Sequence, residues 1–196
     1  MPGGQLTWHA CELIDDSAVV TAGNGGGGLV CARHLLNYGE SVDVLDREPA
    51  QLTGAAAHQY GILDEMSASI GIGSNGLDRV DEYAIVVDAL IGYGLSGDVR
   101  GPARDLIQGV NCRKTRTLSL DVPSGIDATT GETLGIAVRP DRIVTLALPK
   151  TGLVDVETPL YLADISIPHV VYDLLGITYE NPFDWTGWVE LQGMDT

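Results

Sequence analysis

The chain has 196 residues, of which 44% are hydrophobic and 19% charged, and 11 Lys+Arg against 27 Asp+Glu leave a formal net charge of −16. That length suits one sizeable α/β domain spanning residues 1–196 rather than two independent ones, and a charge so negative repels nucleic-acid phosphates and anionic membranes, which excludes both as expected partners. It is also the charge of a protein kept soluble at high salt, where self-repulsion is screened, so a halophilic source is expected.

Residues 1–16 contain Trp8, His9 and Cys11 but no long periodic pattern, and read as an N-terminal arm. The polar start Met1-Pro-Gly-Gly-Gln lacks the basic-then-apolar order of a signal peptide. No apolar run approaches the roughly 18 residues of a membrane span, so a soluble, cytoplasmic protein is expected. From Ala18 to Thr21 a short apolar run breaks into Gly23, Gly25, Gly26, Gly27 and Gly28 around Asn24; Leu29, Ala32, Leu35 and Leu36 then recur at helical spacing. This is strand, tight turn and helix, where a turn poor in side chains lets a ligand touch backbone and the helix start offers N–H groups to an anion. Asn37-Tyr38-Gly39 ends the helix, and Ser41 to Asp46 alternates as a second strand, giving the spacing of a βαβ unit. Gln51 to Ser69 is alanine-rich and predicts a helix interrupted near Gly61, and Ile70 to Asp78 reads as a loop on composition.

Ala84 to Leu90 is a nearly continuous apolar run that delivers Asp88 to its downstream end, the mark of a buried central strand, and Ile91 to Asp98 turns after it. Pro102 to Val110 predicts a helix. Thr117 to Asp121 repeats the arrangement, with Asp121 closing a strand and Val122-Pro-Ser-Gly-Ile-Asp127 turning at once. Further strands are expected at Arg142 to Leu148 and Leu160 to Ser166, with Pro149-Lys150-Thr151-Gly152 between them and a short helix from His169 to Leu175. Residues 178–196, with Phe183, Trp185 and Trp188, read as a tail that folds back over apolar surface. Cys11, Cys31 and Cys112 are odd in number and show no paired spacing, so neither a disulfide framework nor a zinc site is indicated and core thiols of a reducing compartment are expected.

Strand and helix alternate throughout, which predicts a three-layer, doubly wound, Rossmann-like α/β fold with a mostly parallel sheet. Ligands of such sheets collect at the carboxyl ends of the strands, and three of those ends carry Asn24, Asp88 and Asp121 to Ser124. Two chemistries are open there. Gly23-Asn-Gly-Gly-Gly-Gly28 satisfies the dinucleotide fingerprint, and Asp46 stands 23 residues on, as an NAD-dependent dehydrogenase would place its ribose-binding acid. A run of glycines satisfies any such pattern, and no hydride-transfer apparatus follows it. Alternatively, Asn24, Asp88 and Ser124 supply side-chain oxygen around one carboxylate, a set that suits a monovalent hard cation better than Mg²⁺.

Gly23-Asn-Gly-Gly-Gly-Gly-Leu-Val-Cys-Ala-Arg-His-Leu35, Val87 to Gly97, Leu120-Asp-Val-Pro-Ser-Gly-Ile-Asp127 and Pro149-Lys-Thr-Gly-Leu153 together resemble the YjeF N-terminal domain family over about residues 17–177. The resemblance implies NAD(P)H-hydrate epimerase activity, an isomerase reaction that interconverts the R and S forms of hydrated NADH and NADPH. It implies one K⁺ per chain at Asn24, Asp88 and Ser124. It implies substrate contacts at Gly23, Asn24, Gly25, Gly26 and Gly27, at Gly92, Tyr93, Gly94, Leu95, Ser96, Gly97 and Asp98, and at Asp121. Asp121 is the expected catalytic acid/base, Lys150 an assisting or a solvated charge, and a homodimer and a partner dehydratase complete the expectation. A non-catalytic nucleotide-binding or scaffolding module of the same fold is the alternative. Gly23 and Gly27 stand where the family turn usually has asparagine and aspartate, and only about 17 residues precede the first strand, where the family usually has a longer helical segment.

Overall fold

In the computed structural model, residues 17–23, 26–46, 52–72, 75–183 and 187–191 are described. The expectations placed on Trp8, His9, Cys11 and Trp185 lie outside them. The elements run β1 (Ser17–Ala22), α1 (Gly27–Asn37), β2 (Ser41–Asp46), α2 (Gly54–Glu65), β3 (Ser69–Ile72), a 3₁₀ turn (Leu77–Glu82), β4 (Ile85–Ala89), α3 (Gly101–Asn111), β5 (Arg116–Leu120), β6 (Arg142–Leu146), a second 3₁₀ turn (Thr151–Leu153), β7 (Leu160–Ala163), α4 (His169–Leu174) and β8 (Trp188–Leu191).

The strands form one eight-stranded sheet in the order β3-β2-β1-β4-β5-β6-β7-β8, parallel except for the antiparallel β7–β8 pair. The doubly wound α/β architecture is therefore present. β1 is bonded to β2 on one side and to β4 on the other, so the winding reverses between β1 and β4 and leaves a crevice at their carboxyl ends.

Alternation along the central strands separates two cores. Ala18 and Val20 of β1, Val42 and Val44 of β2 and Val87 of β4 pack with Leu29 and Leu35 of α1 and Leu63 of α2. On the other face Val19, Leu45 and Val86 meet Leu106, Ile107 and Val110 of α3 and Leu77 and Val80 of the first 3₁₀ turn. In α3 the buried residues Ala103, Leu106, Ile107 and Val110 repeat at helical spacing, with Pro102 in the first turn, where a missing N–H costs nothing. Leu29, Leu35, Leu63 and Leu106 are fully buried, and each such side chain contributes about 1.5–3 kcal/mol.

Several local expectations change. α2 runs unbroken through Gly61, whose Cβ position meets nothing within 4 Å, so the glycine weakens the helix without a steric reason to end it. Ile70 to Asp78 is not simply loop: β3 pairs with β2 from Asp43↔Ser69 to Asp46↔Ile72, and the 3₁₀ turn follows. A strand of four residues with a glycine inside has too little pattern to be read from composition. The tail contributes β8, whose Trp188 ring meets the Tyr161 ring edge-on at 5.6 Å. Cys31 is buried as expected, but Cys112 is exposed at the end of α3. Among the described residues no helix is long and apolar enough to cross a membrane.

Candidate active site

The carboxyl ends of β1, β4 and β5 lie side by side, with Thr21 opposite Asp88 and Asp88 opposite Ser119. This register brings polar groups together inside an apolar sheet. Asp88 is 1% exposed. Its Oδ2 accepts from Ser119 Oγ at 2.7 Å and from the Ser124 N–H at 2.9 Å, and its Oδ1 accepts from Ser124 Oγ at 2.6 Å and from the Leu90 N–H at 3.4 Å. Ser124 Oγ in turn accepts from the Ile91 N–H at 2.8 Å. Thr21 Oγ1 accepts from the Ala89 N–H at 3.3 Å and so ties β1 into the same edge.

Burial pushes the Asp88 carboxyl above the ordinary carboxylate range, against the hydrogen bonds of Ser124, Ser119 and Leu90. No positive side chain pairs with it among the described residues. A buried carboxylate with hydroxyl and carbonyl oxygens beside it, the Ile91 carbonyl being 3.2 Å from Ser124 Oγ, is a donor set that a monovalent hard cation fits. No cluster of three His, Cys, Asp or Glu that could hold a metal ion exists among the described residues.

The glycine turn is pressed against this network. A Cβ on Gly23 would stand 1.9 Å from the Leu90 carbonyl oxygen, and one on Gly28 would stand 2.8 Å from Ala89 Cβ. These contacts need glycine. Gly26 lies in the left-handed region at φ 73° and caps α1, its N–H returning to the Gly23 carbonyl at 3.2 Å. Gly27 differs, because its Cβ position meets only Leu120 Cδ2, at an ordinary 3.5 Å. Asn24 and Gly25, with the contacts expected of them, lie outside the described residues.

Asp121, one residue past β5, takes φ 73°, a left-handed conformation rare outside glycine and characteristic of functional or turn positions. Its N–H donates to the Val144 carbonyl at 2.7 Å and its Oδ1 accepts from the Leu146 N–H at 3.3 Å, which locks the carboxylate against the end of β6. Lys150 Nζ makes an ion pair with Asp121 Oδ1 and donates to the Leu146 carbonyl at 2.7 Å. The two side chains keep 15% and 21% of their surface exposed, for Lys150 and Asp121, so the pair is held yet reachable. The segment Gly92 to Asp98 leaves β4 at the same edge, exposed except for the half-buried Leu95, with Tyr93 70% exposed.

One residue of this site carries no motif signal on its own. Ser119 is the polar interruption of Leu118-Ser-Leu120, and only the pairing of β4 with β5 reveals it as the partner of Asp88. Lys150, open between two roles in the sequence, is in the pair with Asp121. Asp46 closes β2 but is fully buried, so its carboxylate presents no surface to a ribose, as a dehydrogenase would require.

A family model described as YjeF-related protein N-terminus matches residues 17–152. The chain is 42% identical over 169 residues to an NAD(P)H-hydrate epimerase of Dehalogenimonas lykanthroporepellens, covering 83% of this chain and 66% of the relative. It is 40% identical to a bifunctional NAD(P)H-hydrate repair enzyme Nnr of Salinibacter ruber, over 82% of this chain and 34% of that protein. An NAD(P)H-hydrate epimerase of Levilactobacillus brevis is 33% identical over 75% of this chain and 70% of its own length. The chain thus spans less than two thirds of the first two relatives. In fold it superposes on the crystal structure of yeast ynu0 with a TM-score of 0.78 at 22% identity, over 97% of this chain and 87% of that one.

Proposed function

We propose, from the premise that this chain belongs to the family of YjeF-related protein N-termini, that it is an isomerase that interconverts the R and S forms of hydrated NADH and NADPH. The observation that carries this reading is the Asp121–Lys150 pair, fixed beside the buried Asp88–Ser124 network at the crevice of the sheet. Epimerising a ring carbon that bears a hydroxyl next to nitrogen is redox-neutral. The nitrogen lone pair expels the hydroxyl, which takes a proton and leaves as water; water then adds to either face of the iminium ring and returns a proton. Asp121 is the acid/base group, moving that proton through the ammonium it holds, and its carboxylate faces the cationic ring. The glycine turn and Gly92 to Asp98 position the nucleotide.

One K⁺ would be held by Asn24, Asp88 and Ser124, supplying the positive charge that buried Asp88 lacks and ordering the glycine turn. A dehydratase is the class of enzyme that would consume one epimer. A homodimer in the cytoplasm completes the proposal.

The test is equilibration of R and S hydrated NADH by the purified chain, with spontaneous epimerisation as the control. Asp121→Asn keeps shape but cannot accept a proton as a carboxylate does, so the rate should fall by about 10²–10⁴ with near-normal nucleotide binding. Full turnover in that variant would remove Asp121 from the mechanism. Because Gly27 stands where the family has aspartate, nucleotide binding without turnover in the unaltered chain would favour the non-catalytic binding module.

A further inference from the structure

A groove of about 770 Å³, lined by neither Asp121 nor Lys150, runs between α3 and the segment 133–140 that leads into β6. Its size falls within the roughly 300–1,000 Å³ of small-molecule sites. In a chain with 27 carboxylates against 11 Lys+Arg, its sixteen lining residues include Arg104 and Arg139 and no Asp or Glu. Both arginines are exposed, and neither has a side-chain ion pair among the described residues. The same lining includes the apolar side chains of Ile126, Ile136, Ile143 and Val156. Guanidinium groups suit planar or tetrahedral oxyanions because their donors form a rigid fork, whereas a surface that only needed solubility would carry the carboxylates abundant elsewhere in this chain.

We propose that this groove is a second ligand site, taking a small organic anion whose carboxylate or phosphate is held by Arg104 and Arg139 while its apolar body lies on the isoleucines. The wall of the groove is strapped to the turn that carries Ser124. The Leu134 N–H donates to the Gly125 carbonyl at 2.8 Å and the Val138 N–H to the Ser124 carbonyl at 2.9 Å. Those two amides therefore report occupancy from inside the wall.

The experiment is a titration of the ¹⁵N-labelled full chain with phenyl phosphate and, separately, phenylacetate, with benzyl alcohol as the uncharged control. Saturable shifts at Leu134 and Val138 are expected with at least one anion, and whichever binds tighter identifies the oxyanion. Arg104→Gln/Arg139→Gln should weaken that binding by about tenfold or more, since charge-assisted hydrogen bonds are lost, while Arg104→Lys/Arg139→Lys, which keeps the charge, should weaken it less. Affinity unchanged in the glutamine variant, equal binding of benzyl alcohol, or shifts confined to Asp121 and Lys150 would overturn the proposal. The readout is binding without turnover, so it stands or falls separately from the epimerase reading.

Discussion

Asp88 and Tyr83 are titratable side chains pushed in one direction by one cause: burial raises both, because each loses water around its charged form. Asp88 answers with four hydrogen bonds, whereas Tyr83 has the carboxylate of Asp43 beside it, which reinforces the shift, and Arg79, which opposes it. The Tyr83 hydroxyl is pushed up to about 12. The folded state thus binds this proton more tightly than the unfolded chain, whose tyrosine titrates near about 10. Its contribution to stability is fully present below pH ~10 and is lost as pH rises through about 12. Burial raises the Tyr172 and Tyr179 hydroxyls as well, so phenolate absorbance followed against pH should show a late-titrating group of tyrosines that loses its component near about 12 in Tyr83→Phe. A difference curve centred at the ordinary tyrosine value would contradict this account of its environment.

At the scale of elements, turns decide where the site can form, and two pairs of glycines separate what backbone conformation costs from what contact costs. Gly39 and Gly125 both have positive φ, 90° and 102°, but a Cβ on Gly39 meets nothing within 4 Å, whereas one on Gly125 would stand 2.0 Å from the Ile136 carbonyl oxygen. Gly39→Ala should cost only the left-handed penalty of about 1–2 kcal/mol. Gly125→Ala should cost that and about 1–3 kcal/mol more for displaced backbone, and it should disturb Ser124 as well. Urea unfolding of the two variants checks the difference, and equal losses would refute it. In the other pair, Gly23 is closed by the Leu90 carbonyl while Gly27 is open. The first turn of α1 has no acidic residue. Gly27→Asp, which restores the residue usual in the family, should therefore fold and gain about 0.5–1 kcal/mol from charge at a helix start; a lower unfolding midpoint would count against it. These contacts also mark where the sequence stops being legible. The glycine run announces a turn, but nothing in its composition tells Gly23, which must be glycine, from Gly27, which need not be. Likewise β3 and the 3₁₀ turn at Leu77–Glu82 are held by neighbours distant in sequence, not by a local period.

For the molecule as a whole, strand ends were the legible feature, because an apolar run that stops at a carboxylate reports both burial and direction. Asp88 and Asp121 could be placed on one sheet edge that way, and Ser124 followed from the turn after Asp121. The bonding of Asp88 to Ser119 and of Asp121 to Lys150 needed the sheet order, which depends on long-range pairing. Charge is the other global property, and it yields a prediction that separates general screening from the site. With a net charge of −16, self-repulsion opposes the compact state until salt shortens its range, from about 10 Å at ~0.1 M to about 3 Å at ~1 M. The unfolding temperature should therefore rise with choline chloride, a salt whose cation is too large for a site of closely spaced oxygens. KCl at the same ionic strength should raise it further, because a cation bound only by the folded state adds RT ln(1 + [K⁺]/Kd). Asp88→Asn should keep the first increment and lose the second. Its starting stability should also be lower, because Ser119, Ser124 and Leu90 would point donors at an amide nitrogen or leave one unmet, a cost on the order of 1–3 kcal/mol. A flat response to choline chloride would mean that charge repulsion is not limiting, and identical curves in the two salts would remove the cation from Asp88.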